Sequence, residues 1–220
     1  MDWSRPVDLY CERTDPSFWA EPVNAVTNAS FLIAAAIAFI QWQRKGERDW
    51  PVLLLVVITA VIGVGSFIFH TVATRGAALF DTIPIAVFIY GYLFFALRRY
   101  LGLSLMMAAA LLIAFLAATY AEAAIVPRGA LNGSHAYLPA LGATFVIGFL
   151  TLQRRAGPLI IAAGVTIALS LTFRSIDMAV CESFPLGTHF LWHSLNGLGL
   201  YLLLRAALLD KAAAPVTKAG

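Results

Sequence analysis

The stretch that decides the fold is Pro51–Val72, PVLLLVVITAVIGVGSFIFHTV, which contains no Asp, Glu, Lys or Arg. A helix rises about 1.5 Å per residue, so a block of this length crosses the ~30 Å hydrocarbon core of a bilayer. Similar blocks lie on either side of it. They run from about Asn24 to Gln43, Ala78 to Leu97, Leu101 to Ala121, His135 to Leu152, Pro158 to Ile176 and Thr188 to Leu209. The pattern predicts an all-α polytopic membrane protein, a seven-transmembrane-helix bundle over 24–209. An extracytoplasmic segment, 1–23, precedes it and a short cytoplasmic tail, 210–220, follows.

Composition agrees. The chain is 60% hydrophobic and 12% charged, where a soluble domain carries roughly 25% charged residues. The net charge of +3 is no nucleic-acid signature, because the basic residues sit in short clusters between apolar blocks. MDWSRPVDLYCERTDP has no basic region followed by an apolar stretch, so the first block is expected to stay as a spanning helix.

Lys and Arg favour cytoplasmic loops. With the N-terminus outside, ten of the fifteen fall inside, among them the pairs Arg98-Arg99 and Arg154-Arg155 and the tail residues Lys211 and Lys218. Arg5, Arg13, Arg75, Arg128 and Arg174 fall outside. An N-outside, C-cytoplasmic protein follows, and a bacterial inner membrane is the expected location. Cys11 and Cys181 then share the outer side, which permits a disulfide; two unpaired thiols is the other reading.

Ionisable residues inside spans are costly and point to function. Here they gather near the outer ends of three spans. Ser66 and His70 are four apart on the second, Asp81 opens the third, and His189 and His193 are four apart on the seventh. Residues at this spacing share a helix face. Three imidazoles plus an open position is the usual form of a catalytic zinc site. Asp81 suits a general acid–base and Ser66 an oxyanion stabiliser. His135 reads as an interfacial histidine and Tyr137 as an interface anchor. Arg174 and Asp177 read as an i, i+3 ion pair, and Glu122 and Arg128 as solvated loop charges. Asp8, Glu12, Asp15 and Glu21 form an acidic run before the first span.

These residues resemble the alkaline ceramidase family. The matching pieces are Cys11-Glu12, Glu21-Pro22-Val23-Asn24-Ala25-Val26-Thr27-Asn28, Gly65-Ser66-Phe67-Ile68-Phe69-His70 with Asp81, and His189-Phe190-Leu191-Trp192-His193. The resemblance implies zinc on His70, His189 and His193, with Ser66 and Asp81 completing the catalytic site. It implies a Cys11–Cys181 disulfide and a calcium site for which Asp8, Glu12 and Glu21 are the candidates. The match departs there: Asp8 lies one residue further from Cys11-Glu12, and Thr14 stands where Asn is expected. The implied activity is hydrolysis of the amide of a ceramide-like membrane lipid, with the bilayer as source of substrate and no obligate protein partner. A hydrolase of another lipid ester or N-acyl lipid, or a seven-span receptor or transporter with a structural zinc, would use the same residues. A retinal protein is disfavoured, since the last span has no lysine for a Schiff base.

Overall fold

The computed structural model describes residues 2–46, 48–127 and 129–210. Arg128, Lys211, Lys218 and all of the expected tail after Asp210 lie outside the described residues. The short helix α1 (Pro22–Thr27) leads through Asn28 into α2 (Ala29–Arg44). Then come α3 (Trp50–Val72), α4 (Arg75–Arg99) and α5 (Leu105–Ile125). A 3-10 segment, Ala130–Tyr137, precedes α6 (Leu138–Leu150), and α7 (Ala156–Ile176) and α8 (His189–Leu209) complete the bundle.

Among the described residues, six helical segments are long and apolar enough to cross a membrane, from Pro22–Arg44 to Ala156–Ala179. The protein is therefore a multi-pass integral membrane protein. α8 is not among these six, although its 21 residues are long enough. Its hydropathy is diluted by His189, His193 and Asn196, all buried on its inner side. α8 packs against α2, α3 and α7, so its polar residues are held inside the bundle. The opposite extreme is α5, which buries only Ala108 and leaves Met106, Ile113, Tyr120 and Ile125 largely exposed. Such a face suits lipid and would be a liability in water.

Local chemistry sets the helix ends. The Asp49 side chain accepts from Val52 N at 3.4 Å and pairs with Arg99, while Pro51 opens the first turn of α3. Ala73, at φ 45°, stops α3 in the left-handed region, and the Thr74 hydroxyl then caps α4. The fourth apolar block begins four residues later than expected. Gly102 turns the chain at φ 65°, and Ser104 caps α5 by accepting from Met107 N. The fifth block starts three residues later as an α-helix than expected, because His135–Tyr137 belong to the 3-10 segment Ala130–Tyr137 and α6 begins at Leu138.

One close approach positions α4 on α3. Pro84 has no N–H for the Phe80 carbonyl one turn earlier. That carbonyl faces Gly65, at a distance where any Cβ would collide with it. The residues that follow these two are Ser66 and Asp81.

The bundle has two polar ends. At one, Asp49 pairs with Arg99, and Arg154 with Asp210 at 3.1 Å. At the other, the N-terminal segment lies over the end of α3 and the start of α4, with Val7 N donating to Ala73 O at 2.9 Å and Arg75 N to Arg5 O at 3.0 Å. The histidines lie at this second end.

Candidate metal centre

His70 comes from the last turn of α3, and His189 and His193 from the first turns of α8. All three are at most 1% exposed. Each offers a ligand atom within 4.8 Å of the others. Among the described residues this is the one such group of His, Cys, Asp and Glu.

The hydrogen bonds say which nitrogens are free. His70 Nδ1 meets Glu21 Oε2 at 2.6 Å. The carboxylate accepts, so Nδ1 carries the proton and Nε2 keeps its lone pair. His193 Nδ1 meets Thr27 Oγ1 at 3.0 Å. The Thr27 hydroxyl donates to the Val23 carbonyl at 2.8 Å, so its oxygen accepts from His193 and again Nε2 is left. Both Nε2 atoms are buried without a partner, as is Nδ1 of His189. A buried polar atom with no partner costs about 1–3 kcal/mol, and here three converge. They fit a cation that takes nitrogen ligands, as zinc does. A partner fixing the far side of a ligating imidazole is the usual supporting arrangement, and Glu21 and Thr27 supply it. Tyr10 adds to it, stacking on His189 with ring centroids 3.5 Å apart; burial pushes its phenol well up.

Ser66 is buried one turn before His70, and the half-buried Asp81 is its neighbour from α4. Asp81 is also within electrostatic reach of His70 and Arg174. Phe31 and Trp192, which approach His193 and His189 at centroid distances of 6.4 Å in both cases, continue into the wall of an apolar cavity. It holds about 870 Å³ of empty space, counting its open mouth, and reaches Tyr92 and Leu203 deep in the bundle.

Among the described residues, Asp8, Glu12 and Glu21 do not form a group that could hold a metal ion. Asp8 is exposed. Glu12 spends both oxygens on the start of α1, accepting from Val23 N at 2.7 Å and Asn24 N at 2.8 Å. Burial nonetheless raises its carboxyl above the ordinary range. Glu21 accepts from Arg13 Nε at 2.5 Å, as well as from His70 and Asn24. Burial pushes Glu21 up, but the hydrogen bonds from His70, Arg13 and Asn24 outweigh it and hold the carboxyl low.

Cys11 and Cys181 form a disulfide with Cα atoms 5.3 Å apart. The expected Arg174–Asp177 ion pair is not formed. Asp177 turns to the start of α8, accepting from Thr188 N at 2.6 Å and His189 N at 2.9 Å, and from Cys11 N at 3.1 Å. Open helix N–H groups are stronger attractors for this buried carboxylate than a neighbour one turn away. Gly187, at φ 66°, lies against Asp177 and Cys11 where a side chain would collide. Arg174 instead donates to Asn132 O at 2.5 Å and Ser134 Oγ at 3.1 Å, with its guanidinium 5.4 Å from the Trp192 ring centre. Glu122 is no free loop charge, since it accepts from the buried His135 Nδ1 at 2.7 Å. His135 is thereby apart from the triad.

The residue pattern alone points neither to Tyr10 and Thr27 nor to Arg13 and His70 as the hydrogen-bond partners of Glu21. The one signal for Thr27 was its place in the Glu21–Asn28 stretch.

No curated protein matches the chain in sequence. The family model described as Ceramidase matches residues 10–214, from the tyrosine that stacks on His189 to beyond the end of α8; the chain belongs to the ceramidase family of hydrolases.

Proposed function

We propose that the protein is a membrane-embedded, zinc-dependent amidohydrolase that cleaves the amide of ceramide-like lipids to a long-chain base and a fatty acid. The observation that carries this reading is the convergence of three buried, partnerless imidazole nitrogens beside an apolar cavity. Zinc held there would supply Lewis acidity and bring the pKa of a water down towards neutrality.

The chain's own residues do the rest. His70, His189 and His193 hold the ion, with Glu21 and Thr27 fixing two of the rings. Asp81 takes the proton of the attacking water and returns it to the departing amine nitrogen. Ser66 donates its hydroxyl hydrogen to the oxyanion that develops on the amide carbonyl. The cavity lined by Phe31, Phe88, Leu141 and Trp192 takes apolar chain, so the amide is left at the polar end beside the histidines. The N-terminus faces outward and the arginine-paired end faces the cytoplasm, in keeping with the Lys/Arg bias. Seven spans and a bacterial inner membrane belong to the same reading.

Purified protein offered labelled ceramide, a matched lipid ester and another N-acyl lipid tests it. Release of fatty acid from ceramide above all others supports the reading. Turnover of the ester or the other N-acyl lipid instead reassigns the substrate, and turnover of none refutes the activity.

A further inference from the structure

We infer that Arg13 is the built-in cation of the N-terminal segment, positioning Glu21 and through it His70, so that no divalent ion is needed there. The inference rests on the reading of His70 as a metal ligand.

Arg13 is only 7% exposed. Its guanidinium sits among four oxygens. Nε donates to Glu21 Oε1 at 2.5 Å, Nη1 to the carbonyls of Asp15 at 3.1 Å and Ser17 at 3.4 Å, and Nη2 to the carbonyl of His70 at 3.0 Å. A carboxylate plus backbone carbonyls is the donor set a hard cation such as Ca²⁺ uses, at 2.3–2.6 Å and six to eight strong. Here a guanidinium fills that space. Calcium, implied by the resemblance, does not fit: Glu21 Oε1 is held by Arg13, and both oxygens of Glu12 are held by backbone N–H groups.

The arrangement has a direct path to the metal centre. Glu21 bridges Arg13 and His70 through its two oxygens. Arg13 also returns to the His70 carbonyl, one of the unpaired carbonyls at the end of α3. The same guanidinium therefore holds the His70 backbone and the carboxylate that orients its ring. Arg13 touches neither substrate nor reacting atoms; it is a positioning residue.

The test uses full-length wild type, Arg13→Ala and Arg13→Lys. Wild type should carry no calcium by elemental analysis after exposure to millimolar CaCl2, and its melting temperature should not move. Arg13→Ala opens the oxygen cage. Its kcat should fall at least about tenfold, the equivalent of one lost buried charged hydrogen bond, with KM within about twofold because binding is untouched. Guanidinium, at concentrations that leave wild type folded, should restore part of that kcat. Arg13→Lys, which keeps charge but not the fork, should not match wild type.

Calcium uptake that raises the wild-type melting temperature overturns the inference. So does an Arg13→Ala protein with full turnover, or one that folds but is not rescued by guanidinium. If Arg13→Ala does not fold, the wild-type calcium measurement decides alone. An inactive, zinc-free wild type would instead refute the zinc-hydrolase reading, since the calcium and melting measurements do not depend on turnover.

Discussion

Glu21 and His70, forty-nine residues apart in sequence, share a buried hydrogen bond of 2.6 Å between Oε2 and Nδ1. The carboxylate lies just before the first spanning segment and the imidazole near the end of the second. This bond makes the N-terminal segment part of the candidate metal centre rather than a cover for it. It sets the His70 tautomer and leaves Nε2 facing the two histidines of α8.

Glu21→Gln should therefore weaken zinc binding while leaving the bundle folded. Loss of a partner behind a ligating histidine costs 10–100-fold in metal affinity. Zinc competition against a chelator of known affinity measures it. An unchanged affinity would show that Glu21 serves packing alone.

Ser66→Ala and Asp81→Asn should separate binding from chemistry. Both variants keep all three histidines, so zinc content should stay at the wild-type level. Turnover should fall about 10²–10³-fold for Ser66→Ala, if its hydroxyl steadies the oxyanion, and about 10²–10⁴-fold for Asp81→Asn. Steady-state kinetics on labelled ceramide check this. Zinc loss in either variant would place that residue among the ligands or their supports.

Gly65→Ala tests the α3–α4 contact. A methyl group there meets the Phe80 carbonyl, so α4 must shift and take Asp81 with it. Overpacking of this kind costs about 1–3 kcal/mol. A lower melting temperature together with reduced turnover is expected. Gly91→Ala on α4 is the control, because its Cβ would meet only Leu55 Cδ2, at 4.0 Å.

Cys11→Ser with Cys181→Ser should loosen the N-terminal segment. The bridge closes a loop with a sequence separation of 170 and ties Cys11 to the turn before α8. A bridge of this kind contributes about 2–5 kcal/mol. Thermal unfolding in detergent should show the loss, and proteolysis of the N-terminal segment should quicken.

Much of this was legible in the sequence, for physical reasons that differ by element. The uncharged block at Pro51–Val72 was found almost to the residue, because a bilayer demands about twenty apolar residues and Asp49 and Pro51 punctuate its start. The start of α5 was not, since Leu101 and Leu103 are as apolar as the helix while Gly102 and Ser104 decide the turn. α8 shows the reverse: the polar residues that lower its hydropathy are those of the site. His70, His189 and His193 were legible because buried ionisable residues are rare and their four-residue spacing is local. The partners of Glu21 and Asp177 were not legible because they are distant. Glu21 meets His70 through tertiary packing, and Asp177 meets the start of α8 eleven and twelve residues on, where spacing alone pointed to Arg174.

The central claim is that His70, His189 and His193 hold a catalytic zinc. The most direct measurement is elemental analysis of the purified protein alongside hydrolysis of labelled ceramide, for wild type and His193→Ala. The account predicts one zinc per wild-type chain with turnover, and loss of both in His193→Ala. A wild-type protein that hydrolyses ceramide with no zinc bound, or a His193→Ala protein that keeps its zinc and its turnover, would contradict it.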